Sequence, residues 1–509
     1  MIELSSRQVA EAVNGTLVGC SDDEAQKITV TSATTDSREV VAGTLFLAKP
    51  GEITDGHRFV PQAFVAGASL ALVERVVTQG SGEPYPAVVV DDVVLAMGRL
   101  ASYCIEKMRA AGELTVIGIT GSAGKTTTKD LLAGIFATAG ETVAPVGSFN
   151  GEVGVPLTVF RADESTRYLV IEMGADGVGH IEYLASIVKP DYGVILKVGT
   201  AHAGEFGGID NIEKTKGELA EGILQGLALN DDDERVRRML PRAVAPTFFF
   251  GVGEKNADAP NAPRVYATQL VTAASGCPEF MLHFPSGEKF EIASKLIGEH
   301  HVHNLLAAAT VAYQIGIQPQ VIVKQLNTQG AVSRWRMERT DRADGVSVIN
   351  DAYNANPESM AAALRALAQL GRGEQPRRTW AVLGAMLELG EVSVEEHDRL
   401  GRLVVRMNIS KLIAIGDEAK PIYNAAHLEG SWGNEATWVA TADEAREILR
   451  AELEPGDIVL FKSSNGAGLR ILGDAVAQDT HVAGSNETRT AYWLSAGDFV
   501  DAVDSDTDE

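Results

Sequence analysis

Apolar residues recur along this chain in two rhythms, and the rhythm changes three times. Near the start, "SSRQVAEAVNG" has a serine start and a glycine stop around an apolar stripe, which predicts a short helix, while "GTLFLA" and "SLALVE" read as strands. From Leu114 the texture becomes strand, glycine loop, helix, strand. "LTVIGIT" is a buried strand, "TTTKDLLAGIFATAG" a helix ending at Gly140, and "YLVIEMG" and "YGVILKVG" are further strands. A stretch from about Gly251 to Gly287 is richer in Pro, Ala and Asn and predicts strands and loops on the edge of that block. A third alternating block begins near Gly330. In it Asn356 is the N-cap and Pro357 the first residue of a helix whose apolar face is Met360, Leu364 and Leu367 and whose stop is Gly371. "TWAVLGAM", "KLIAIGD" and "DIVLFKSS" follow as buried strands.

Alternation of this kind implies parallel sheets covered by helices. The predicted fold is therefore α/β in three domains: a mixed α/β domain over residues 1–110, a central parallel-sheet domain over 111–330 and a Rossmann-like domain over 331–494. A chain of 509 residues is too long for a single core, so several domains are expected on size alone.

Composition narrows the function more than the fold. A content of 45% hydrophobic and 22% charged residues is that of an ordinary globular protein, and no apolar run is long enough for a membrane span. With no leader-like start, a cytoplasmic location and no membrane span are expected. The net charge of −25 argues against a nucleic-acid partner, because duplex affinity rests on Lys and Arg neutralising phosphates. Residues 495–509, with six acids and no base, are expected to form a disordered acidic tail. Cys20, Cys104 and Cys277 are far apart and suggest neither disulfides nor a zinc site.

The candidate chemistry begins at "GITGSAGKTTTK". The usual phosphate-loop rule wants glycine five residues before Gly124, and that residue is Ile119. The physics nevertheless fits. A strand enters a Gly-Ser-Ala-Gly turn whose backbone N–H groups can face an anion, and a helix starts at Lys125 or Thr126 with its positive dipole end there. Thr120, Gly121, Ser122, Ala123, Gly124, Lys125, Thr126 and Thr127 are thus the candidate ATP-binding residues, Lys125 for the β and γ phosphates and Thr126 for Mg²⁺. Glu172 ends one strand and His202 follows another, at the sheet edge where ligands bind; they read either as metal ligands or as a helix cap and a satisfied loop histidine. In "NIEKTKGELAEGILQGL" the stripe Ile212, Leu219, Ile223, Leu227 has Lys216 in its middle and Lys214 opposite. Lys216 either snorkels or carries CO₂ as a carbamate, which would make it an oxygen ligand. His300, His301 and His303 lack zinc-site spacing and read as structural.

These segments, with "SFNGEVGVPLT", "IEMGADGVGHI", "GTAHAGEFGG", "GEHHVHNLLAAATVA", "NDAYNANPESM" and "LGAMLELGE", occur in an order that resembles the Mur ligases over roughly residues 30–475. The nearest resemblance is to members that join D-alanyl-D-alanine to UDP-N-acetylmuramoyl-tripeptide. It implies an ATP- and Mg²⁺-dependent amide-forming ligase working through an acyl phosphate, with domains for the UDP substrate, ATP and the amine in that order. It also implies Thr126, Glu172, His202 and carbamylated Lys216 at the metal, and Lys125, His202, Lys216 and Arg336 in catalysis. Asn304 would meet adenine, and Arg336 and Asp351 the γ-phosphate and nucleoside. Ser37 and Arg38 would lie near uridine, Asn150 near the muramoyl peptide, and Tyr353, Asn356, Lys462 and Ser464 near the dipeptide.

A monomer with small-molecule partners is expected. Ala385 stands where relatives usually have an acid, and Arg334 competes with Arg336 for the phosphate contact. The competing functions are a ligase for another amine and a silent nucleotide-binding regulator. The first usually has Asp-Asn-Pro-Arg, which is missing here, and the second should have lost Lys125 or the metal ligands, which are all present.

Overall fold

The computed structural model describes residues 1–51, 54–199, 206–254, 262–372, 376–430 and 433–479. The predicted acidic tail lies outside the described residues. The expected α/β architecture is observed as three sheet-centred units, with sheets of five, nine and six strands and a small two-stranded ribbon, Leu4–Ser5 with Thr29–Val30.

The first helix, Ser6–Val13, opens with a capping box between Ser5 and Gln8 and closes at Asn14, whose φ of 55° is the left-handed cap, one residue before the expected glycine. The five-stranded sheet runs Thr16–Val18, Ala87–Val89, Ala68–Val73, Thr44–Leu47, Ser32–Thr34, parallel except for its first pair. The helix that follows, Val93–Ala111, belongs to two units at once. Its buried residues join one apolar cluster reaching from Ile2 to Phe249. Ser102 Oγ donates to the Ile187 carbonyl at 2.7 Å, and Arg109 donates to the Lys189 carbonyl at 2.7 Å. First and central units are therefore fused by a common core.

In the central sheet the strand Thr115–Thr120 lies between Tyr192–Ile195 and Tyr168–Glu172, all parallel. On the far side, Arg264–Thr272, Pro278–His283 and Lys289–Ala293 add an antiparallel extension, the edge strands expected from the Pro- and Asn-rich segment. Two expectations need correction. The phosphate-loop helix is Lys125–Phe136, not a helix to Gly140, because the chain after it tightens into turns, the Thr138 N–H donating to the Ile135 carbonyl and the Ala139 N–H to the Phe136 carbonyl. The helix of Lys216 is Ile209–Gly222; Ile223 is already extended, and Leu227 sits in the strand Gly226–Asn230, outside the helical stripe.

The apolar residues of the third unit cluster on the two faces of a sheet ordered Glu338–Asp341, Ser347–Asn350, Ile458–Lys462, Thr379–Leu383, Lys411–Ile415, Ala436–Val439, and one cluster also takes in Cys277 and Ile297 of the central unit. Only its first strand is antiparallel. Asp351 and Lys462 therefore leave neighbouring strands at the same edge. Among the described residues no helix is long and apolar enough to cross a membrane.

Candidate active site

Register decides which groups meet. Ile119 pairs with Glu172 and Thr120 with Ile195, so the phosphate loop, Glu172 and the chain at Lys197 leave the central sheet together. The Ser122 N–H donates to the Lys197 carbonyl at 2.8 Å, which fixes the loop to the neighbouring strand end. Gly124, at φ +86°, is the left-handed residue before the helix, and a Cβ there would overlap Asn304 Oδ1. Among the described residues the N–H groups of Ala123, Gly124 and Lys125 have no protein acceptor. Lys125 Nζ donates to the Gly121 carbonyl at 2.9 Å, folding the lysine over the loop. Burial pulls its pKa down, the Glu172 carboxylate opposes that shift and Arg336 adds to it.

Glu172 is fully buried. One carboxylate oxygen accepts from Ser148 Oγ at 2.8 Å and Asn150 Nδ2 at 2.9 Å, and the other from Thr126 Oγ1 at 3.0 Å. Two chain segments thus converge on one carboxylate. Thr126 Oγ1, Ser148 Oγ and the carboxylate form an all-oxygen donor set beside the phosphate loop, and such a set fits Mg²⁺. Asn150, expected near the peptide substrate, spends its amide here. Ser148 was missed by sequence reasoning, although its place two residues before Asn150 in "SFNGEVG" is a usable signal.

Lys216 is 4% exposed, its Nζ 5.8 Å from the centre of the Phe206 ring. Among the described residues it has no ion-pair partner. Burial, reinforced by repulsion from Lys125, lowers its pKa from 10.5 to about 7, against weaker support from Glu218 and Asp176. It does not snorkel. His202 lies outside the described residues.

From the third unit, Arg336 NH2 donates to Thr126 Oγ1 at 3.3 Å while its guanidinium stacks 4.3 Å from the Tyr353 ring centre. Its Nε is buried without a partner, and it has no carboxylate partner among the described residues. Arg334 points the other way, to Asp474 at 2.9 Å, because the left-handed Trp335 between them, φ 58°, turns the chain. Arg336, not Arg334, is therefore the arginine at the loop. Asp351 accepts from Lys462 Nζ at 2.6 Å and from the Met337 N–H at 3.0 Å. Burial lowers the pKa of Lys462, and Asp351 counters it.

The residues named so far from the loop, Glu172, Lys216, Asn304, Arg336, Asp351, Tyr353, Asn356, Lys462 and Ser464 line a single cavity of about 1790 Å³. Several of the expected residues also make contacts within the protein. Thr120 is fully buried and its hydroxyl donates to the Met173 carbonyl at 3.1 Å, so its side chain faces the sheet and not the nucleotide. Asn356 Oδ1 caps its helix by accepting from the Ser359 N–H at 2.8 Å. Ser464 accepts from the Leu387 N–H at 2.9 Å while its own N–H donates to the Ala385 carbonyl at 2.9 Å, so backbone contacts bridge the position where an acid was missing. Ser37 and Arg38 are outside the cavity lining; Arg38 turns back onto Asp36 at 2.7 Å. Asn304 Nδ2 contacts His301 Nδ1 at 3.1 Å, and burial holds His301 well below the ordinary imidazole pKa and His300 at about 4. Among the described residues no group of three acidic, His or Cys side chains could hold a metal.

Three family models match the chain in succession: the Mur ligase family catalytic domain over residues 29–103, the Mur ligase middle domain over 119–312 and the Mur ligase glutamate ligase domain over 335–465. The chain is 43% identical to the UDP-N-acetylmuramoyl-tripeptide–D-alanyl-D-alanine ligase of Mycobacterium leprae, covering 94% of this chain and 99% of that one. It is 31% identical to the enzyme of the same name from Bacillus subtilis, with 92% and 97% covered. Among solved structures, MurF from Acinetobacter baumannii superposes with a TM-score of 0.79 at 31% identity over 94% of this chain and 99% of that one. MurF from Thermotoga maritima in complex with ADP gives 0.72 at 26% identity, with 88% and 97% covered.

Two outcomes are expected from this geometry. Gly124→Ala should weaken binding of a non-hydrolysable ATP analogue about tenfold or more, read by titration calorimetry, since the new Cβ meets Asn304 in a conformation that resists it. Lys216→Met should melt no lower than the parent protein at pH 6 without bicarbonate. The folded-state pKa near 7 lies below the unfolded 10.5, so the cost of burying this lysine is fully present below pH 7 and fades toward 10.5.

Proposed function

The chain belongs to the Mur ligase family, and from that premise we propose that its central cavity joins D-alanyl-D-alanine to the terminal carboxylate of UDP-N-acetylmuramoyl-tripeptide, with ATP converted to ADP and phosphate. The observation that carries the reading is the meeting of Arg336 with Thr126: a cation from the third unit stands at the phosphate loop of the second without a carboxylate of its own.

The phosphates of ATP rest on the N–H groups of Ala123, Gly124 and Lys125, with Lys125 and Arg336 flanking the group to be transferred. A carboxylate oxygen of the tripeptide attacks the γ-phosphorus, the bond to the β–γ bridging oxygen breaks, and ADP leaves with that electron pair. The amine of the dipeptide then adds to the acyl carbon, the tetrahedral intermediate expels phosphate, and one proton is released as the amide forms. Lys125 and Arg336 offset charge on the phosphoryl oxygens during the first step. An acyl phosphate hydrolyses readily, so enclosure by the third unit, with Arg336 stacked on Tyr353, keeps water from it.

Thr126 and Glu172 would hold one Mg²⁺, and His202 with a Lys216 carbamate a second; bound there, the ions would draw charge from the phosphoryl oxygens. The depressed pKa of Lys216 supports the carbamate, because only the neutral amine adds to CO₂, releasing a proton. Lys462 and Tyr353 are proposed to receive the dipeptide, Asn304 the adenine, and Ser37 and Arg38 the uridine end of the other substrate. We place the enzyme in the cytoplasm as a monomer, where its nucleotide-linked substrates are available.

Phosphate release from ATP with Mg²⁺ and the UDP-linked tripeptide should require D-alanyl-D-alanine and fail with diaminopimelate, L-lysine or no amine. Release with another amine alone would keep the mechanism and change the substrate, while silence with all of them would support a regulator. Lys125→Ala and Lys216→Ala should each lower turnover by about a thousandfold or more, with no rescue by bicarbonate and high Mg²⁺.

A further inference from the structure

Arg336 reaches the phosphate loop without an ion pair to hold it, so its position has to be set by the chain on either side. The third unit holds the residues immediately flanking it: Trp335 Nε1 donates to Asp474 at 2.9 Å and the Met337 N–H to Asp351 at 3.0 Å. Trp335 and Met337 both have left-handed backbones, φ 58° and 52°, a strained state that persists only where the surroundings over-determine it. Upstream, the chain is held by the central unit. The Ser333 N–H donates to Asp130 Oδ2 at 3.1 Å, Lys129 Nζ donates to Ser333 Oγ at 3.3 Å, and Gln329 Nε2 donates to the Asp130 carbonyl at 2.6 Å. Gln329 packs against Gly134, where no Cβ intervenes.

The anchor is built as a unit. Lys129 is 4% exposed at its side chain, pairs with Asp130 at 2.5 Å and also donates to the Pro145 carbonyl at 3.1 Å. Asp130 and Thr126 lie four residues apart on the same helix, one turn from each other. Ser333 and Arg336 are three residues apart, a span of at most about 11 Å. One turn of the phosphate-loop helix therefore holds both the point where the linker is fixed and the point where its arginine arrives.

We propose that Asp130 is a positioning residue for the ligase reaction: it anchors the interdomain linker at Ser333, so that Arg336 is delivered to Thr126 at the phosphate loop. The inference rests on the ligase reading, but one of its tests does not need turnover. In Asp130→Ala, amides of residues 333–337 should exchange hydrogen about tenfold faster or more, with the helix Lys125–Phe136 unchanged. Unaltered exchange in that segment overturns the proposal whatever the activity.

The second test is a double-mutant cycle on kcat. Asp130→Ala should lower kcat about tenfold or more, and by less than about twofold when Arg336→Ala is already present. Asp130→Asn, which can still accept from Ser333, should restore most of the rate. Ser333→Pro deletes the donor without touching the helix and should show the same dependence on Arg336. An equal loss in both backgrounds, or none in the parent, would mean that Asp130 acts independently of Arg336 and would overturn the assignment.

Discussion

Bringing two anions together is the constraint around which this structure is arranged. A carboxylate must approach a triphosphate, and in a cavity shielded from water that repulsion is large unless fixed positive charge is already in place. Lys125 and Arg336 supply it, and among the described residues neither of them has an ion-pair partner. Acidic side chains of the same wall are mostly engaged elsewhere: Asp351 with Lys462, Asp232 with His303, Asp176 with His180. Cations left unpaired in a protein of net charge −25 mark the place where anionic substrates complete the charge balance.

Each of the basic groups of the site is presented by a different structural device. Lys125 comes from the turn between a central strand and its helix, the Lys216 amine from the buried face of the helix Ile209–Gly222, and Arg336 from a strained linker between units. Glu172 ties them together by holding Thr126, Ser148 and Asn150 with a single carboxylate. The core shared by the first and central units makes that part of the site rigid. The third unit centres on its own sheet, with Cys277 and Ile297 of the central unit joining one of its apolar clusters, and the linker determines where its arginine arrives.

Much of this was legible before any coordinates. A strand, glycines and a helix in sequence are enough to call the phosphate loop despite its shifted first glycine, and a lysine inside an apolar stripe announces an unusual environment. Other features depend on tertiary geometry that spacing cannot convey. Thr120 belongs to the loop motif, yet the alternation of strand side chains turns its hydroxyl toward Met173. Arg334 and Arg336 are equivalent in the sequence and are separated only by the left-handed Trp335. Leu227 fits a helical stripe that had already ended at Gly222. Asn150 and Asn356, expected near the substrates, also hold Glu172 and cap a helix, contacts that spacing does not show. Polar residues satisfy the protein before they reach a ligand, and periodicity does not reveal which.

The central claim is that a substrate carboxylate attacks the phosphoryl group beside Lys125 and Arg336. It is tested most directly by labelling both oxygens of the terminal tripeptide carboxylate with ¹⁸O and analysing the phosphate released during ligation. The account requires each phosphate to carry one labelled oxygen, leaving the other in the new amide. Unlabelled phosphate alongside normal amide formation would mean that the carboxylate is never phosphorylated, and the mechanism proposed for this cavity would be wrong.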